Sequence, residues 1–151
     1  MLPKSLELRT CVREVLDGFV SECRENLSKG IVLRLGELAT IRPSVVQSEY
    51  IPTLGYLSKR VSEKQGLPYY TVYSVVETYL DVVKEEIQQG RSADIRKLIS
   101  FHSISLGDGH FKVNCALSAS VRNDLRECEV PMTARVSFSK SLRSKLKEVV
   151  V

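Results

Sequence analysis

Four cysteines and two histidines are the first candidates for metal or nucleophilic chemistry in this 151-residue chain. Their spacing serves neither. Cys11, Cys23, Cys115 and Cys128 contain no C-x-x-C pair, so no zinc ribbon is expected. His102 and His110 have no carboxylate pattern around them that would complete a metal site, and His102 alternates with apolar neighbours as a strand residue does. The chain has no G-x-S-x-G, no phosphate-cradling glycine loop and no H-E-x-x-H. Leu106-Gly107-Asp108-Gly109-His110 reads as a hairpin turn. No catalytic, metal or cofactor site is expected, and the chain does not read as an enzyme.

Charge is what remains. Lys and Arg number 22 against 18 Asp and Glu, a formal net charge of +4. The surplus is local. Residues 132–151 hold Arg135, Lys140, Arg143, Lys145 and Lys147 against a single acid, Glu148, and the rest of the chain is balanced. A basic cluster of this kind suits phosphate neutralisation. A solvated helix face accounts for the same run without any partner.

The 43% hydrophobic and 26% charged content is that of a globular chain, one domain or two very small ones, and excludes a mainly disordered one. No apolar run approaches the roughly 20 residues of a membrane span, so no membrane partner is expected. The start, MLPKSLELRT, has no apolar core of a signal peptide. Reduced thiols in the cytoplasm fit these features, with Cys11 and Cys23 expected as buried thiols on a helix stripe. Cys115 and Cys128 are candidates to face each other across a hairpin.

Several elements must position the charges. Residues 6–29 form an amphipathic helix, with Leu8, Cys11, Val12, Val15, Leu16, Phe19, Val20, Cys23 and Leu27 three or four apart. Two short strands follow over 31–43, turning at Gly36-Glu37. A connector (44–52) leads to a short helix (53–65), broken by Gly66. A second long helix (69–89) carries Val72, Val76, Tyr79, Leu80, Val83 and Ile87, and Gly90 ends it. Its tyrosines, Tyr69, Tyr70, Tyr73 and Tyr79, suit core and dimer packing better than base stacking. Strands are expected over 94–106, a hairpin-like region over 110–129, and a last strand over 133–138. Ser139 is a good N-cap for a terminal helix, 140–148.

The chain also repeats itself. Val32 to Ile41 lines up without gaps on Ile95 to Ile104, with apolar residues at the first, fourth, seventh and tenth places. Each half is then helix–strand–strand, as expected of one unit used twice.

The order of elements over residues 53–148 resembles the HU / integration host factor family of bacterial DNA-bending proteins. Glu63-Lys64-Gln65-Gly66-Leu67 is similar to that family's helix junction, and Leu98 to Ile104 to its strand turn. Arg135 to Arg143 is similar to its final strand and the basic start of its last helix, and Arg34 to Pro43 resembles the strand turn again. The resemblance implies an α+β fold, with a helical base, a β-hairpin sheet and a β-arm. It divides the chain into a partial helix–strand–strand unit, 1–48, and a second unit, 49–151, with the arm and a basic C-terminal helix. That arrangement is an incomplete single-chain pseudo-dimer, or a subunit that pairs with others.

For function, the resemblance implies an architectural protein that binds double-stranded DNA through the phosphate backbone with weak sequence specificity. Its contacts would be Lys140, Arg143 and Lys147 on the terminal helix, with Arg122 and Lys112 on the arm. Arg122-Asn123-Asp124 is the nearest match to the family's Arg-Asn-Pro arm tip, and puts a carboxylate where the proline wedges between bases. Residues 105–131 hold three bases and four acids, so this arm is not expected to bend DNA deeply. The alternative is the same fold used as a structural subunit, in a homo-oligomer or a larger assembly such as a phage virion ring or connector. The corresponding locations are the nucleoid and the virion.

Overall fold

Val15, Phe19, Val20, Cys23 and Leu27 form the buried stripe of helix α1 (Lys4–Ser28), spaced as an amphipathic helix requires. The computed structural model describes the backbone of residues 4–108, 110–140, 142 and 149–150, and the side chains of 11–108, 111–140 and 142. The terminal helix expected over 140–148, with Arg143 and Lys147, lies outside the described residues except at Lys140 and Leu142. Strands β1 (Leu33–Leu35) and β2 (Ala39–Pro43) follow α1. The Thr53 hydroxyl accepts from the Tyr56 amide at 3.0 Å and starts α2 (Leu54–Gln65). Glu22, buried on α1, meets Lys64 and Arg60 of α2 and ties the two helices together. Helix α3 (Tyr69–Gln88) buries Val72, Val76, Leu80, Val83 and Ile87. Strands β3 (Ala93–Ile95), β4 (Ile99–Gly107) and β5 (His110–Leu117), helix α4 (Ala119–Arg126) and strand β6 (Ala134–Phe138) complete the body. A two-residue strand, β7 (Val149–Val150), runs parallel to β5.

The fold is α+β. Its strands form two sheets, ordered β1-β2-β6 and β3-β4-β5-β7. Among the described residues no helix is long and apolar enough to cross a membrane.

The repeat is present, in a different frame from the one the apolar pattern suggests. A shift of three residues preserves that pattern, which is why Val32 seems to match Ile95. Backbone hydrogen bonds fix the shift at 60 instead, because the bonds that end the long helix and close the strand turn recur in both halves. The Gly30 amide donates to Leu27 and the Gly90 amide to Ile87. The Ile31 amide donates to Asn26 and the Arg91 amide to Glu86; the Leu38 amide donates to Leu35 and the Leu98 amide to Ile95. Gly30 and Gly90 share a left-handed backbone, φ 73° and 76°. Leu35 therefore matches Ile95, and Ile41 matches Phe101.

The correspondence continues into the strands that follow. The Ser118 amide donates to the Leu98 carbonyl, and the Ser139 amide to the Leu38 carbonyl. The Ser118 hydroxyl accepts from the Val121 amide and caps α4, and the Ser139 hydroxyl accepts from the Leu142 amide at the same spacing. Leu117 pairs with Ile99, and Phe138 with Ala39. Strand β6 thus closes the first repeat, although 90 residues separate it from β2. The expected division into 1–48 and 49–151 is corrected accordingly: the second repeat, α2 to α4, is inserted between β2 and β6 of the first. The two halves share one core, and the rings of Phe101 and Phe138 meet there at 5.9 Å.

Three further expectations change. Residues 119–126 are helical, because Ser118 caps a turn that buries Val121 and Leu125; the extended region ends at Leu117. Tyr70 is 82% exposed and Tyr69 stacks on Tyr73 outside the core; Tyr79 alone of the four reaches inward, donating to the Asp94 carbonyl at 2.8 Å. Cys23 is fully buried, but Cys11 only half so, and Cys128 lies beyond α4 and not across a hairpin from Cys115.

Candidate nucleic-acid interface

Strand alternation sends every second side chain to each face of a sheet. In the first sheet Leu33, Leu35, Ala39, Ile41 and Phe138 point into the core. The opposite face must then carry Arg34, Thr40, Arg42, Arg135 and Ser137, and Arg34, Arg42, Arg135 and Ser137 are exposed. Register brings them together. Thr40 lies between Arg34 and Ser137, and Arg42 lies directly opposite Arg135. Three guanidinium groups share the face with hydroxyls and no acid. None of the three enters an ion pair among the described residues, where Arg24, Lys29, Arg60, Lys64, Lys84 and Arg91 do.

The pairing of β2 with β6 is pinned at one end by Ser44, whose amide donates to the Thr133 carbonyl at 2.7 Å and whose hydroxyl accepts from the Thr133 amide at 3.1 Å. A groove runs along this end, lined by Arg42, Ser44, Thr133 and Arg135. Across the edge of β6 it adjoins a cavity of about 750 Å³ between β5, α4 and β6. Arg122 and Arg126 of α4 line that cavity with Arg135, over an apolar wall that includes Leu117, Leu125 and Met132. Among the described residues, neither the groove nor the cavity is lined by an acid.

Of the expected site residues, only Arg122 lines this groove and cavity. Arg122 lies on α4 beside the cavity and not on an arm. The expected arm of 105–131 is the end of the β4–β5 hairpin followed by α4, and the hairpin turns at Gly107 and Asp108, both of positive φ. Asp124 does not stand at a hairpin tip. It forms a bidentate pair with Arg24 of α1, 2.7 Å from Nε and 3.0 Å from Nη2, and so docks α4. Its charge is therefore spent inside the protein and repels no phosphate at a tip. Lys112 occupies the outer face of the second sheet, opposite Ile104. Lys140 is exposed one residue after the Ser139 cap. Arg143 and Lys147 lie outside the described residues.

The second sheet offers a different outer face. Asp94, Ser100, His102, Ile104, Asn114 and Lys112 share it by the same alternation, one acid against one base. Arg34 and Arg42 were overlooked as binding residues because they belong to a stretch of balanced charge. The signal that finds them is the alternation of arginine with apolar residues in Leu33-Arg34-Leu35 and Ile41-Arg42-Pro43, together with a β2–β6 pairing that the sequence does not announce.

No family model, curated protein or solved structure matches the chain. What the arginine face can do follows from its own chemistry. Exposed, acid-free guanidinium groups on a rigid sheet bind phosphates by charge and bidentate hydrogen bonds.

Proposed function

We propose that this protein is a non-enzymatic, double-stranded-DNA-binding architectural protein with an HU / integration host factor-like fold, in which one chain supplies both halves of the usual pair. The observation that carries the reading is the arginine face: Arg34, Arg42 and Arg135 on one side of one sheet, with two of them directly opposed and no acid beside them. Two further features support it. Each repeat pairs a long helix with three antiparallel strands, the last of which ends at a capping serine, in keeping with the helical base and β-hairpin sheet that the family resemblance implies. Arg122 and Arg126 extend the cationic surface past the edge of β6, and Lys140 is exposed just after that strand.

Binding through three to five arginines gives a log–log salt slope of about −3 to −5. Affinity for two unrelated duplexes of equal length should agree within a few-fold, because the contacts are to phosphate. Fluorescence anisotropy with two such duplexes tests both statements. A marked preference for one sequence, or no binding at low salt, would sink the reading.

The alternative, a structural subunit of a larger assembly, draws on one observation. Only one of the two sheets has a basic outer face; the other is neutral and ends in a hairpin whose Leu106 is 54% exposed. A surface of that kind suits protein contact at least as well as phosphate.

A further inference from the structure

The repeat that doubles the fold does not double its charge. Under the shift of 60, Arg13, Asp17, Val20 and Arg96 take the places of Tyr73, Glu77, Leu80 and Gly36. Each set lines a cleft where the helix of one repeat meets the strand turn of the other. The first cleft, about 470 Å³, has Leu16, Val20 and Ile95 in its wall and Arg13 and Arg96 at its rim. Val12, expected in the core, lines it at 38% exposure. Lys97, in the same turn as Arg96, adds a third cation against Asp17. The second cleft, about 350 Å³, has Leu38, Leu54 and Leu80 in its wall and Glu37, Glu77 and Asp81 at its rim. One cation answers them: Lys84, 3.0 Å from Glu37. Glu77 also neighbours the Tyr73 hydroxyl and pushes that phenol above its ordinary pKa.

The two clefts are equivalent in the repeat, are built from different helices and different strand turns, and carry opposite sign. Arg13, Asp17, Arg96, Lys97, Glu77 and Asp81 enter no ion pair among the described residues. We propose that this chain self-associates head to tail, the Arg96–Lys97 turn and Arg13 of one copy meeting the Glu77–Asp81 cleft of the next. Like cleft against like cleft would oppose equal charges, so the contact joins unlike clefts, and a copy whose two clefts engage different neighbours is part of a ring or a filament. The apolar walls supply area to bury, and the opposed rims set orientation and salt dependence. The proposal holds or fails without DNA and is independent of the DNA-binding reading.

Sedimentation velocity on the full chain, without DNA, tests it. The wild type should sediment faster as its concentration rises at about 0.05 M salt, and this rise should shrink several-fold at about 1 M. Arg13→Glu with Arg96→Glu makes both clefts acidic, and Glu77→Lys with Asp81→Lys makes both basic. Each double variant alone should remain a monomer with a native circular dichroism spectrum. An equimolar mixture of the two should associate again, because every contact then joins opposite charges. A wild type that stays monomeric at low salt overturns the proposal, even if a variant fails to fold. Double variants that associate as the wild type does, or folded variants whose mixture stays monomeric, overturn it as well.

Discussion

Arg42 faces Arg135 directly across the β2–β6 pairing, and no acid among the described residues neutralises either guanidinium. Like charges opposed on neighbouring strands cost stability, of the order of a few tenths of a kcal/mol to about 1 kcal/mol. Arg135→Gln should therefore raise the melting temperature slightly while it weakens binding to duplex DNA. Paired thermal melts and anisotropy titrations check this. A variant that melts lower and binds as before would mean that Arg135 serves the fold alone.

Asp124 and Arg24 join residues 100 apart in sequence through two hydrogen bonds, with side chains 28% and 30% exposed. A bidentate, partly shielded pair lies at the upper end of what surface ion pairs contribute, about 1 kcal/mol. Asp124→Asn and Arg24→Gln should each cost about that much in urea denaturation, and the double variant little more than either. Additive losses would show that each side chain acts through other contacts.

Gly30 and Gly90 end equivalent helices but differ in their surroundings. A Cβ on Gly30 would lie 2.6 Å from Gln47 Cγ and 2.9 Å from the Val45 carbonyl oxygen, whereas one on Gly90 meets the Phe111 ring at 3.1 Å. Both substitutions incur the left-handed penalty of about 1–2 kcal/mol, and Gly30→Ala adds a backbone clash. Gly30→Ala should therefore lower the denaturation midpoint by clearly more than Gly90→Ala. The reverse order would contradict the local geometry.

Burial pushes the Cys23 thiol far above its ordinary range and Cys115 up to about 11. Because the thiolate is the reactive form, Cys23 should resist alkylation at pH 8 until the protein unfolds, and Cys115 should react slowly. Mass-spectrometric mapping of labelled peptides over time reads this directly. Rapid native labelling of Cys23 would contradict the packing of α1.

Much of the fold was legible because the signals were local. Gly66, Gly90 and the apolar stripes of α1 and α3 mark their elements through neighbours three or four residues away. The Gly107–Asp108 turn declares itself in the same way. What was illegible was non-local. Nothing in Arg135 to Phe138 says that this strand pairs with Ala39 to Pro43 and not with the hairpin just before it. The arginine face exists only once that pairing is made, so a count of charge along the chain placed the basic site at the C-terminus and passed over Arg34 and Arg42. Helix α4 was missed for a related reason. Its buried residues, Val121 and Leu125, are too few to show a period, and Asp124 acquires its role only from Arg24, 100 residues earlier.

The central claim is that the exposed arginines of the first sheet hold the DNA backbone. Its most direct test is the salt dependence of duplex binding for the wild type and for Arg42→Glu with Arg135→Glu, both shown to be folded by circular dichroism. The wild type should bind at low salt with a log–log slope of about −3 to −5, and the double variant should lose at least about 10²-fold in affinity with a slope reduced by about 2. Equal affinity and an unchanged slope in the folded double variant would contradict the account.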